Sequence, residues 1–202
     1  AVIVQRTRRL LEGFLDGLRA GAAQGWIGVS SGTSPHVEAS SNRFKFNIEG
    51  SDRVIQAAGG YLQAGLKDNL PVLDGVGILG FGLNSGGAVE PHWHPNSDEI
   101  VYLTSGRAKA VLVSPFGEVE VQEFGAGGGF YAPASYYHSI EQIGHEDVEG
   151  IAFFNNAEMV YIGLGEALGA FGDEVLSSTF NVDPGHFKGM DRPGGPKVIV
   201  PG

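Results

Sequence analysis

The feature that most constrains this chain is a succession of short apolar runs, each too brief for a helix, set apart by clusters of turn residues. The runs fall at Arg43–Ile48, Gly75–Leu83, His92–His94, Ile100–Leu103, Lys109–Val113, Glu118–Glu123, Gly129–Ala132, Tyr137–Gln142 and Val148–Phe154. Asn84-Ser85-Gly86-Gly87, Ser105-Gly106, Pro115-Phe116-Gly117 and Gly125-Ala126-Gly127 break them. The 33 glycines follow no G-X-Y period, so they punctuate turns and do not build a triple helix. Short strands without helices between them predict an all-β fold, an antiparallel sandwich or barrel. No second unit of similar sequence follows, so one barrel is expected.

The ends read differently. Leu10, Leu11, Phe14, Leu15 and Leu18 recur at helical spacing and predict an N-terminal amphipathic helix over Arg6–Ala23, followed by a polar arm to Asn42. Leu164–Phe171 and Asp173–Phe180 predict two short helices, and a Gly/Pro-rich tail runs from Gly189 along a surface or a partner. The expected division is an N-terminal helix and arm at 1–42, the barrel at 43–160, and C-terminal helices with the tail at 161–202. The helix and the tail fit packing against a second copy, so a homo-oligomer is expected.

Charge narrows the partners. A net charge of -10 repels phosphate backbones and anionic lipid heads, and Arg6, Arg8 and Arg9 are the one basic cluster. Neither nucleic acid nor a membrane surface is an expected partner, and no apolar run has the length of a membrane span. The absence of cysteine removes disulfides, thiolate catalysis and iron–sulfur clusters. It suits reducing and oxidising compartments alike. The chain opens with Ala1, so the expectation is a soluble protein, cytoplasmic or secreted after loss of a signal peptide.

The chemistry concentrates in Pro91-His92-Trp93-His94-Pro95-Asn96-Ser97-Asp98-Glu99. Residues two apart in a strand share a face, so His92 and His94 aim the same way, and Glu99 returns beside them after a short turn. A fourth ligand must come from another strand, and His138 is the candidate. Three imidazoles and a carboxylate suit one divalent metal, manganese or ferrous iron before nickel, copper or zinc. His36, His145 and His186 read as ordinary surface or core residues.

Gly86-x5-His92-x-His94-x4-Glu99-x6-Gly106 resembles the first motif of the cupin family, and Gly127-x5-Pro133-x-Ser135-x2-His138 resembles the second. Ser135 stands where that family usually has Gly, and Gln142 where Asn is common. The resemblance implies a double-stranded β-helix, or jelly-roll, barrel. Pro91-His92-Trp93-His94-Pro95 and Ile162-Gly163-Leu164-Gly165-Glu166 look most like the oxalate decarboxylase, germin and spherulin branch. That branch implies manganese and a small carboxylate such as oxalate, or an oxygen-derived substrate as in germin-like superoxide dismutation. It also includes spherulin-like storage proteins that bind without turnover.

Competent oxalate decarboxylase domains resemble one another in an Arg three residues before the first ligand His, where this chain has Val89. They also carry a lid glutamate. The corresponding stretch here is Asn155–Tyr161, and Glu158 is its one carboxylate. Glu158 is thus a candidate proton donor or a plain loop acid. Glu90, beside the His-x-His strand, is a candidate catalytic base, a rim acid or a partner for a ligand imidazole. Tyr102, Tyr131, Tyr136 and Tyr137 offer further phenols, for which packing is the expected role.

Overall fold

The computed structural model describes residues 43–188 and 199–201. The helix expected at Arg6–Ala23, the arm to Asn42 and most of the tail from Gly189 lie outside the described residues.

The described strands are β1 (Arg53–Ala57), β2 (Gly60–Gly65), β3 (Gly77–Leu83), β4 (Gly87–Trp93), β5 (Glu99–Ser105) and β6 (Arg107–Val113), then β7 (Val119–Gly125), β8 (Gly129–Ala132), β9 (Tyr137–Ile143), β10 (Val148–Phe154), β11 (Ile162–Gly163) and β12 (Ile199–Pro201). Two short helices, α1 (Leu164–Gly169) and α2 (Asp173–Phe180), precede a 3-10 turn at Pro184–Phe187. One sheet runs β1-β2-β3-β10-β5-β8. The other runs β11-β4-β9-β6-β7, with β12 added on β4. Every pairing is antiparallel.

Period-two alternation builds the interior. Along β5, Glu99, Val101 and Leu103 are buried while Ile100, Tyr102 and Thr104 are exposed. Leu62, Phe81, Leu83 and Phe154 of the first sheet join Val89, Ala108, Ala110, Leu112 and Ile140 of the second in one core. Glu99 therefore sits in the series of core-facing positions, a place a carboxylate occupies only with partners of opposite charge or a cation.

One strand expectation is corrected, and two strands arise where none was expected. Arg43–Ile48 forms turn and irregular chain. Two of its alternating apolar residues pack against β2 and β3, Phe46 against Gly65 and Ile48 against Gly80, while Phe44 is exposed. The Gln63 side chain ties the following backbone down, donating to the carbonyls of Glu49 and Ser51 at 3.0 and 2.8 Å. Conversely, β1 and β2 carry no expectation from the sequence. Nearly every residue of β2 is buried, Gln63 included, so it lacks the alternation of a half-exposed strand.

β4 contains the one irregularity that matters for the site. Val89 pairs with Ile140 and His92 with His138, so β4 spends one residue more than β9 over this stretch. The extra residue is a β-bulge at Glu90-Pro91, where proline's missing N–H costs no ladder bond. The bulge lets Val89, Glu90 and His92 all be buried, which strict alternation forbids.

Candidate metal centre

Four side chains converge inside the barrel. His92 comes from β4 and His138 from the residue opposite it on β9, with ring centroids 4.2 Å apart. His94 follows the end of β4, and Glu99 opens β5 in the other sheet. All four are buried, and their ligand atoms lie within 4.8 Å of one another. Bonds of about 2.0–2.2 Å to one ion place its ligand atoms roughly 3–4.5 Å apart, so the spacing is that of a coordination shell.

The hydrogen bonds behind the rings fix how they present themselves. His92 Nδ1 lies 2.7 Å from the Glu90 carbonyl, His94 Nδ1 2.8 Å from that of Val160, and His138 Nδ1 2.9 Å from that of Tyr136. A carbonyl oxygen only accepts, so each Nδ1 carries a proton and each Nε2 is the atom turned to the centre. Backbone carbonyls thus hold three imidazoles in the metal-binding tautomer.

The electrostatics call for a cation. His94 Nε2 is buried without a hydrogen-bond partner, yet stands 3.3 Å from Glu99 Oε2. With the proton on Nδ1, that contact sets a nitrogen lone pair against a carboxylate in a dry interior, and an ion between them removes the conflict. Glu99 Oε2 also meets His138 Nε2 at 2.8 Å. Burial pushes the Glu99 carboxyl up, but His138 and His94 outweigh burial and hold it well below the usual range. Burial opposes charge on His138, and the Glu99 carboxylate overcomes it and raises that imidazole. The donor set and its unpaired nitrogen fit a divalent metal.

Other groups frame the centre. The Tyr161 ring stacks on His92 with centroids 4.5 Å apart, and Phe154 meets His94 edge-on at 5.1 Å. Tyr161 donates its hydroxyl to Glu90 Oε1 at 3.3 Å, and the Gly165 N–H at the start of α1 donates to Glu90 Oε2 at 3.2 Å. A Cβ on Gly163 comes within 2.3 Å of Glu90 Oε1, so any larger residue there displaces the Glu90 carboxylate. Burial and Glu90 together push the Tyr161 phenol far above its ordinary value.

The sequence-derived candidates are distributed as follows. Glu90 is buried, and its backbone carbonyl, not its carboxylate, orients His92. Glu158 is exposed, its carboxylate 3.4 Å from Lys67. Ser135 has φ of 67°, the left-handed region that explains the glycine usual at this motif position, and its N–H donates to the His94 carbonyl at 2.8 Å. Gln142 accepts from the Gly86 N–H at 2.9 Å and so ties the two motifs together. Of the phenols, Tyr102 and Tyr131 are exposed.

Tyr161, Asn96 and the Val160 carbonyl have no sequence signal that connects them to His92 and His94. Asn96 bridges to the segment after β10: its Oδ1 accepts from the Val160 N–H at 2.8 Å and its Nδ2 donates to the Glu158 carbonyl at 3.1 Å. Beside the ligands lies a cavity of about 90 Å³, walled by Leu62, Phe81, Val89, Ile140, Phe154 and Tyr161. A larger groove of about 610 Å³ runs over the outside of the first sheet and includes none of the four.

Comparison with known proteins agrees with this geometry. The oxalate decarboxylase OxdC of Bacillus subtilis is 26% identical over 114 residues, 56% of this chain and 30% of that protein. Germin-like protein 3-8 of Oryza sativa subsp. japonica is 29% identical over 150 residues, 70% of this chain and 60% of that protein. The chain thus spans 30% to 60% of the length of its oxalate decarboxylase and germin-like relatives. A solved structure of B. subtilis OxdC at pH 4.6 has a TM-score of 0.68 at 24% identity, covering 78% of this chain and 41% of that one, a likeness of fold. The cupin family model matches residues 46–187, the whole span of barrel, ligands and C-terminal helices just described, and the chain belongs to the cupin family.

Proposed function

We propose that this chain is a metal-dependent cupin enzyme with manganese held by His92, His94, Glu99 and His138, acting on a small carboxylate of about the size of oxalate. In this reading residues 1–42 form an N-terminal helix and arm, 43–160 the barrel and 161–202 the C-terminal helices and tail. The supporting observation is the tautomer lock: three buried imidazoles whose Nδ1 atoms are spent on carbonyls and whose Nε2 atoms face one carboxylate. When bound, manganese supplies Lewis acidity and one-electron chemistry.

The chain's own residues supply the rest. Four protein ligands leave open places on a six-coordinate ion. The cavity beside His92, His94 and Glu99 sets mostly apolar side chains around whatever occupies them. Glu90 positions Tyr161 over His92. Glu158 is the acid nearest in sequence to the site-facing segment, and turnover by Glu158→Gln reads out whether protonation uses it.

Val89 in the cavity wall favours a second reading, germin-like superoxide dismutation, because a small oxygen species needs no cationic anchor. One preparation decides. Metal content is measured, then oxalate and superoxide are assayed with His94→Ala as control. Formate, carbon dioxide or peroxide from oxalate that disappears in His94→Ala supports the first reading; superoxide loss alone supports the second. Full metal occupancy with no turnover of oxalate, of short monocarboxylates or of superoxide sinks both and leaves a binding protein.

A further inference from the structure

We infer that the substrate carboxylate carries its charge at one end only, the remainder being small and apolar, and that Val89 sets this preference. The inference rests on the metal-dependent reading above and names the substrate class of that same centre.

The cavity walls carry the argument. Apart from His92, His94 and Glu99, the space is lined by Leu62, Leu79, Phe81, Ile140 and Phe154, together with Val89, Ala152 and Tyr161. Among the described residues no Lys, Arg, Asn, Gln, Ser or Thr side chain lines it. Tyr161 is the one hydroxyl, and it is turned away to Glu90 Oε1 at 3.3 Å. The centre therefore offers a negative charge one place to go, the open coordination positions.

Consider the two ends of a bound acid separately. A carboxylate on the ion exchanges its hydration for the cation's field. A second carboxylate in the cavity surrenders its water and finds hydrocarbon, with no donor to replace it. Chelation through one oxygen of each carboxylate does not escape this, since the outer oxygens still face the same walls. A methyl or ethyl group in that space is removed from water at a gain. At about 90 Å³ the cavity has room for roughly six to nine waters by the measure of about 10–15 Å³ for each, so the tail is short.

Val89 is the position where the chain makes this choice. It is buried on β4 directly before the bulge, opposite Ile140 of β9, and its side chain forms part of the wall. A cation there would anchor a second carboxylate. Valine supplies a wall instead.

The test uses the full manganese-loaded chain and reads binding, not turnover. Acetate, propionate, butyrate, malonate and oxalate are titrated while the spectrum of the bound manganese is followed by electron paramagnetic resonance, with metal content checked afterwards. Propionate is expected to bind at least tenfold more tightly than malonate or oxalate, and Val89→Arg to reverse that order. Val89→Ala, which only enlarges the cavity, is expected to move the tightest chain length one carbon longer. Oxalate binding more tightly than propionate with the metal retained overturns this inference alone. So does a chain-length optimum that Val89→Ala leaves unmoved. A purified chain that holds no manganese overturns the metal-dependent reading together with it.

Discussion

His94 donates its Nδ1 proton to the backbone carbonyl of Val160, 66 positions further along the chain, at 2.8 Å. The segment after β10 therefore takes part in the centre through its main chain. It is not a free flap, because the Asn96 side chain holds Val160 and Glu158, and Asn156 donates back to the Asn96 carbonyl at 3.1 Å.

Asn96→Ala removes both side-chain bonds and frees the carbonyl that orients His94. Loss of such outer partners typically costs about 10–100-fold in metal affinity. Competitive manganese titration with a chelator checks this. Unchanged affinity in Asn96→Ala means that the Val160 carbonyl stays in place without the clamp.

The metal-free chain is expected to have a stability maximum set by two opposed imidazoles, His92 and His138. Burial first, then the nearby His138 and His94, holds His92 well below its ordinary value. A lowered imidazole contributes stability that is lost as pH falls below its unfolded value of about 6.5. His138 is raised, so its contribution is complete below about 6.5 and is lost as pH climbs through its folded value. These two groups place the optimum near pH ~6.5. A metal takes the place of the His138 Nε2 proton, so the gain in melting temperature from added manganese grows between about pH 5 and 8. Melts with and without manganese measure it, and groups that titrate alike in both forms cancel. A gain that shrinks with rising pH contradicts the ligand set.

Gly60 and Gly117 both have positive φ, 148° and 86°, but only one is crowded. A Cβ on Gly60 comes within 2.0 Å of the Gly82 carbonyl oxygen, while one on Gly117 meets nothing within 4 Å. Gly60→Ala is expected to cost about 2–4 kcal/mol, strain and overpacking combined. Gly117→Ala costs about 1 kcal/mol from strain alone. Denaturant unfolding of the two variants separates the contributions, and equal losses refute the close approach of β2 to β3.

Ser135 occupies the left-handed region at φ 67° in the turn that leads to His138. Ser135→Gly relieves that strain and is expected to stabilise the fold by up to about 1 kcal/mol. Its N–H to the His94 carbonyl is a backbone bond and survives the change. A shift of the urea midpoint to lower concentration is the contrary result.

The local order of residues determined a good deal by itself. Turn clusters and period-two alternation gave most strands, because side-chain direction in a strand follows from sequence parity alone. The same parity aligned His92 with His94, and motif spacing brought in Glu99 and His138. Tertiary structure decided what spacing cannot carry. β2 is buried on both faces and has no alternation to read. The bulge at Glu90-Pro91 breaks parity where it matters. Val160 and Tyr161 reach His94 and His92 only because the chain after β10 folds back over β4. Parity is a property of neighbours along the chain. The tautomer of an imidazole and the polarity of a cavity wall belong to groups brought together from distant positions, and strand order alone puts them in contact.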